Sequence, residues 1–356
     1  MAINPTDKSN TRAKRRVRKE SLDSLNMYQI ILDFPKQFRL GIEAAKNVYL
    51  NPGQLQRPPE NIVICGMGGS ALPGDVLTTL RPLDVFAHKS YGLPPQAGNE
   101  SIIICISYSG NTEETLSAFT EALNRNLPLI AITTGGELEK LCKKYKVPLA
   151  KIPKPLIPPR LALGLQFAAL LQILANHNLL EESYVEGALK MGSVLESKDF
   201  EKQGQTLAKK IFRKIPFIYT PELFWVAGLI WKNSLNETAK ILAVNNYFPE
   251  LNHNETVGFW KINEMQIGND KISVIILRDR DDHPRILKQM KITKDIIEKE
   301  GIGVKFVEIS GETVLEKFFS AVVLGFWVAY WLALEYKIDP TPIKTIEEFK
   351  RRLDED

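Results

Sequence analysis

Cysteine and histidine are both scarce, with three Cys and four His in 356 residues. Cys65, Cys105 and Cys142 lie far apart and keep neither zinc-ligand nor disulfide spacing. That excludes a zinc module and a disulfide framework, and it fits a chain working in a reducing, cytoplasmic setting. The N-terminus has no apolar run, so no secretory signal is expected. A strong charge of either sign is also missing. The formal net charge is +4, but seven of the 46 Lys/Arg fall in residues 1–19 beside one of the 42 acids, leaving 39 basic and 41 acidic residues from Glu20 onward. A slightly acidic body argues against a nucleic-acid reader, which needs its basic stripe on the folded domain. Two stretches, residues 161–174 and 318–334, are exceptionally apolar, and the second needs weighing as a membrane span. Residues 318–334 carry no charge over 17 positions, the short edge of what spans a bilayer. With Glu335 and Lys337 close behind and no second span to pack with, a fully buried core helix is the expected form, and no membrane partner.

What is present is alternation. Apolar, β-branched runs (NIVIC, SIIICIS, PLIAIT, then KIPFIYT, KISVIIL, GVKFVEI) alternate with longer helical patterns, the signature of parallel sheets covered by helices on both faces. The fold class is therefore α/β, with two domains of like grammar and an internal duplication. The divisions read from the sequence are a basic arm at 1–24, a first domain at 25–180, a second at 181–336 and a tail at 337–356. Five prolines within residues 148–159 are expected to exclude a regular element and to form a loop that ends at Arg160.

Two turns in the first half suit an anion. Gly66 to Ser70 (GMGGS, with Gly69) follow a buried strand and open a helix, where backbone N–H groups and the helix dipole favour negative charge. Residues 107–112 (SYSGNT) follow the next strand and offer Ser107, Ser109 and Thr112 hydroxyls. The P-loop lysine is absent, and no acid stands where a dinucleotide fold would place one. Hydroxyls and amides without a point charge fit a phosphomonoester; the same Ser and Thr also suit helix N-caps.

In the order GMGGSALPGD, SYSGNTEET, PPRLALG, LNETAK and PELNHNE, the chain resembles the bifunctional phosphoglucose/phosphomannose isomerase family of the sugar isomerase (SIS) fold group, from about residue 25 to the end. The resemblance implies two SIS domains per chain and a homodimer. It also implies interconversion of glucose 6-phosphate and mannose 6-phosphate with fructose 6-phosphate, without metal or other cofactor. It implies phosphate binding by Ser70, Ser107, Ser109 and Thr112, Glu237 as base, His253 as ring-opening group reaching the neighbouring subunit's site, and Arg160 as the cation near the reacting carbons. A C-terminal lysine belongs to the pattern. Lys350 is the first choice, with Lys344 and Arg351 as competitors, and a threonine near C2 is Thr341 or Thr345.

The chemistry is consistent with those residue types. One carboxylate can shuttle a proton between C1 and C2 through a cis-enediolate if burial lifts its pKa toward the working pH, and Glu237 ends an apolar helix. Glu250 and Glu255 are read as surface acids. His253, between Asn252 and Asn254, can move a proton between O5 and O1 near neutrality, with the asparagines expected to fix its tautomer. His88, His177 and His283 have surface or helix-end settings. A rival of another class is a non-catalytic SIS regulator that binds sugar phosphates. The isomerase half of a glucosamine-6-phosphate synthase needs an N-terminal nucleophilic cysteine where this chain has Ala2.

Overall fold

The computed structural model describes residues 22–353 and 355, apart from 56, 81–83, 155–156, 197–198, 261 and 263–267. The basic arm expected at 1–24 lies outside the described residues up to residue 21. Beyond it Asp23 is buried, and its carboxylate accepts the N–H groups of Met27 (2.6 Å) and Tyr28 (3.0 Å), which caps helix α1 (Met27–Leu32). The chain divides into two compact units.

The first unit comprises Leu32–Lys198 and Gly311–Phe319. Its sheet holds β1 (Asn61–Cys65), β2 (Val85–His88), β3 (Ser101–Ser107), β4 (Leu129–Thr133) and β5 (Leu149–Lys151), all parallel, in the order β2-β1-β3-β4-β5. Every residue of β3 and β4 is buried, as expected when helices cover both faces. The helices are α2 (Lys36–Ala45), α3 (Leu72–Leu80), α4 (Glu113–Asn124), α5 (Gly136–Tyr145), α6 (Leu163–Asn176) and α7 (Glu182–Glu196). Side chains such as Ile103, Phe119 and Leu129, each worth about 1.5–3 kcal/mol when fully buried, fill the interior. All three cysteines are free and sit in that cluster, where Cys65 and Cys105 are register neighbours on β1 and β3. Hydrogen bonding to Cys65 and burial push the Cys105 thiol well up, and burial pushes Cys142 up to about 12, so these are packing residues rather than nucleophiles.

The proline-rich segment departs from expectation, because β5 forms inside it. Pro148 precedes that strand and its carbonyl accepts the Ala131 N–H at 3.0 Å, so an edge strand of three residues is compatible with the proline. The boundary expected at 180/181 falls at 198/199, because α7 packs on α2 and α6 and belongs with the first sheet.

The second unit comprises the described residues up to Ile31, those of 199–310 and those from Ser320 onward, so the described part of the tail at 337–356 belongs to it. Its sheet holds β6 (Ile215–Pro221), β7 (Val244–Phe248), β8 (Ile272–Arg278) and β9 (Gly303–Glu308), parallel, in the order β7-β6-β8-β9. Numbered within its own unit, that order is 2-1-3-4, the same as the first four strands of the first sheet, so the duplication read from the sequence extends to topology. The helices are α8 (Phe200–Ile211), α9 (Trp225–Glu237), α10 (Pro284–Lys299), α11 (Val314–Glu335) and α12 (Lys344–Leu353). The uncharged run at 318–334 lies in α11. This helix is long and apolar enough to cross a membrane, yet 89% of its most apolar stretch is buried inside the protein. Trp231 of α9 donates its indole N–H to the Ala321 carbonyl at 2.7 Å, and Tyr28 meets Trp327 edge-on at 5.2 Å.

Candidate active site

In a parallel sheet, ligands bind outside the carboxyl ends of the strands where the order reverses. In the first unit that point lies between β1 and β3, and both anion-type turns are there. After β1 the chain turns through Gly66–Gly69 into a 3-10 turn, Gly68–Ser70. Ser70 is 5% exposed; its hydroxyl donates to Gln166 Oε1 (2.7 Å) and accepts the Tyr108 N–H (3.0 Å), locking the first turn to the end of β3. Its one proton is thus committed to Gln166, and Ser70 can donate to a phosphate only by turning away from it.

The second turn is better supplied. Ser107 Oγ and Thr112 Oγ1 lie 3.0 Å apart and share one hydrogen bond, so one of their two protons is uncommitted by it. Ser107 Oγ also accepts the Gly110 N–H at 3.1 Å. Ser109 is exposed and accepts the Asn111 N–H at 3.2 Å. Thr112 stands at the N-cap of α4 but makes no side-chain capping bond, so its hydroxyl serves the turn instead. Gly110 has φ +74°, and a Cβ there would lie 1.8 Å from the Gly135 carbonyl oxygen, so no other residue fits.

Arg160 is 8% exposed and sits in a 3-10 turn, Pro159–Leu161, packed on Gly69. A Cβ on Gly69 would come within 2.8 Å of the Pro159 carbonyl oxygen and 3.1 Å of Arg160 Cα. The glycine therefore permits the approach of the loop that carries the arginine. Ser70, Ser107, Ser109, Thr112, Gly69 and the Arg160 backbone are thus gathered at one sheet edge. Nearby Asp75, in the first turn of α3, is buried and ion-paired to Lys89 at 2.7 Å. Burial raises its pKa more than the lysine lowers it.

The second unit fills the matching edge of its own sheet differently. Arg278, ending β8, pairs through Nε with Glu308 of β9 at 2.9 Å, and Arg280 adds a second contact to that carboxylate at 3.0 Å. Glu237, the carboxylate singled out in the sequence, lies elsewhere in this unit. Glu237 is the last residue of α9, half-buried, and lines a cavity of about 560 Å³ together with Asn236, Lys240, Lys344 and Thr345. The opposite wall is the C-terminal segment, from Ile338 to Ile346. Asn236 Oδ1 is buried without a hydrogen-bond partner among the described residues. Of the competing C-terminal lysines, Lys344 lines this cavity, whereas Lys350 lies in the last turn of α12, exposed and not among the lining residues. Arg351 is ion-paired to Glu348 at 3.0 Å. Thr345 lines the cavity; Thr341 stands within the same segment but not among the lining residues, its N–H donating to Asp339 Oδ1 at 3.0 Å.

His253 is exposed, at the end of a 3-10 turn Glu250–His253, and is not among the residues lining the Glu237 cavity. Its flanking asparagines do not fix its ring. Asn252 Oδ1 accepts the Thr293 hydroxyl (2.7 Å), and Asn254 Nδ2 donates to Glu250 (2.8 Å). They fix the backbone on either side of the histidine and leave the ring facing outward. Glu255 is not the surface acid expected. Buried Tyr219 of β6 donates its hydroxyl to Oε1 (2.6 Å) and Asn246 of β7 donates to Oε2 (2.5 Å), which ties the His253 segment to two strands. Burial and the Glu255 charge push the Tyr219 phenol far up, so it remains a donor. The other histidines are structural or isolated. His177 ends α6 and accepts the Leu50 N–H at 2.9 Å, His283 caps α10, and His88 ends β2 with Nε2 buried and unpaired among the described residues. Among the described residues no three His, Cys, Asp or Glu side chains are gathered as metal ligands.

Residues 200–353 match the model of the bacterial phospho-glucose isomerase C-terminal SIS domain. The bifunctional phosphoglucose/phosphomannose isomerase of Caldicellulosiruptor bescii is 34% identical over 345 residues, covering 92% of this chain and 99% of that protein. The Aquifex aeolicus protein of the same name is 32% identical over 335 residues, covering 92% and 98%. Among solved structures, the C-terminal domain of glucosamine-fructose-6-phosphate aminotransferase from Francisella tularensis superposes with a TM-score of 0.67 at 14% identity, covering 89% of this chain and 98% of that one, which supports the fold. Near-complete coverage at this identity, on a chain with two duplicated parallel sheets, shows that it belongs to the bifunctional phosphoglucose/phosphomannose isomerase family.

Proposed function

We propose that this chain interconverts glucose 6-phosphate and mannose 6-phosphate with fructose 6-phosphate by ring opening and a cis-enediolate, without a metal. The observation that carries the reading is Glu237, half-buried at the end of an apolar helix and lining a cavity whose volume suits a hexose phosphate. The phosphate is assigned to Ser107, Ser109 and Thr112 with the backbone around Gly69, and to Ser70 once its hydroxyl turns from Gln166.

In ring opening, His253 accepts the O1 proton and returns it to O5 as the C1–O5 bond breaks and the C1 carbonyl forms. Glu237 then takes the C2 proton, the electron pair becomes the C1–C2 double bond, and negative charge develops on O1. Arg160 and Lys344 are assigned to that charge in place of Lys350. The O2 proton then passes to O1, the O2 electron pair forms the C2 carbonyl as the C1–C2 double bond takes the proton from Glu237 at C1, and the ketose results. Glucose and mannose phosphates differ only at C2, so accepting both requires the base to meet either face after rotation about C2–C3.

The chain is further proposed to act as a homodimer in which His253 completes the neighbouring subunit's site. In support, the His253 ring is exposed on a segment that Glu255 ties to two strands of its own unit, outside the residues that line the Glu237 cavity. A coupled spectrophotometric assay is expected to show fructose 6-phosphate formation from both aldose phosphates, undiminished by chelator. Binding without turnover of either sugar would instead fit a regulator.

A further inference from the structure

The last residue of the LNETAK motif has no part in the mechanism above, yet it is unusually engaged for an exposed lysine. Lys240 follows α9 with its backbone in the left-handed region, φ +56°. Its ammonium has three donors, and three main-chain carbonyls accept them: Thr238 at 3.1 Å, Asp339 at 3.0 Å and Pro340 at 3.0 Å. The first belongs to the chain leaving α9, immediately beyond Glu237. The other two belong to the C-terminal segment that forms the opposite wall of the Glu237 cavity. Three charge-assisted bonds from one group therefore join the two walls. The tail turn so held is itself closed by the Thr341 N–H on Asp339 Oδ1, and α12 starts three residues later with Lys344 in the cavity.

From this geometry we infer that Lys240 is a positioning residue: it staples the C-terminal segment across the Glu237 cavity and so sets Lys344 and Thr345 against the base. The inference rests on the isomerase reading for its effect on turnover, but the staple itself is a structural statement with its own readout. A neutral side chain of similar length would leave the carbonyls of Asp339 and Pro340 to water, and the tail would lose its tie to α9 while the sheet and its core stay intact. Lys240 is largely exposed, so the loss is local. An arginine also presents several donors and can span the same carbonyls.

The test pairs kinetics with hydrogen exchange on Lys240→Met, Lys240→Arg and Glu237→Gln. Lys240→Met is expected to speed amide exchange across residues 338–353 and lower kcat by roughly tenfold or more, with KM within about threefold and an unchanged melting curve, because small misplacements of a reacting group are costly. Lys240→Arg is expected to restore most of both. Glu237→Gln is expected to leave tail exchange at the wild-type level. Wild-type exchange in Lys240→Met, or faster exchange with kcat within about twofold of wild type, would overturn the inference. Full activity in Glu237→Gln would instead remove the base assignment while leaving the exchange result to decide the staple.

Discussion

Glu237→Gln is expected to lower kcat on glucose 6-phosphate and on mannose 6-phosphate alike by at least about 10²-fold, because a group that carries the proton in the transition state is removed. Glutamine matches glutamate in size, so the cavity against residues 338–346 keeps its shape. The variant also retains a hydrogen-bonding side chain at the end of α9. KM is expected to change little, since the phosphate is assigned to groups other than Glu237. A parallel loss on both sugars follows from one carboxylate serving both faces of the enediolate; a loss on one sugar alone would point to two separate bases. Equal falls in kcat and kcat/KM identify an interaction made only in the transition state.

The second large effect concerns where His253 acts. His253→Ala and Glu237→Gln homodimers should each be nearly inactive. If His253 completes the neighbour's site, a mixed dimer puts both defects in one site and neither in the other. Equal mixing after subunit exchange then restores about a quarter of wild-type activity, since half the dimers are mixed and each has one intact site. If His253 serves its own chain, every site carries at least one defect and mixing restores nothing. The result therefore separates the two arrangements by a large signal rather than a small ratio. The shared-site proposal predicts the first outcome.

How much of this was legible in the sequence depends on how locally each feature is encoded. Strands β1, β3, β4 and β8 are apolar runs largely buried on both faces, and β6 is buried from Ile218 onward, so their composition announces them. Strand β7, reading VNNYF, has two asparagines, poor strand formers in isolation, and is an edge strand held by its pairing with β6. Strands β2 and β5, of four and three residues, are too short to show a period. The glycine and serine turns were legible because their chemistry is local to the residues that follow each strand.

The Glu237 cavity was legible only in part. Glu237 was visible at the end of an apolar helix, but its cavity wall comes from residues some hundred positions later, about which spacing says nothing. Spacing therefore does not separate Lys350, the first choice by resemblance, from its competitor Lys344, the residue that lines the cavity. Glu255 was read as a surface acid because its partner, Tyr219, lies 36 residues upstream on another strand. Ser70 was visible as a candidate ligand, but not its commitment to Gln166, a contact across 96 residues.

The central claim is that Glu237 moves a proton through an enediolate. Its most direct measurement is NMR of the isomerisation run in D2O, from glucose 6-phosphate to fructose 6-phosphate, with wild type and with Glu237→Gln at matched extents of reaction. A carboxylate that holds the abstracted proton exchanges part of it with solvent before returning it. Wild type is therefore expected to place deuterium at C1 of the ketose and, on reversal, at C2 of the aldose, with chelator making no difference, and the variant to lose exchange together with turnover. Complete retention of the C2 hydrogen at C1 through many turnovers, or unchanged exchange in Glu237→Gln, would contradict the account.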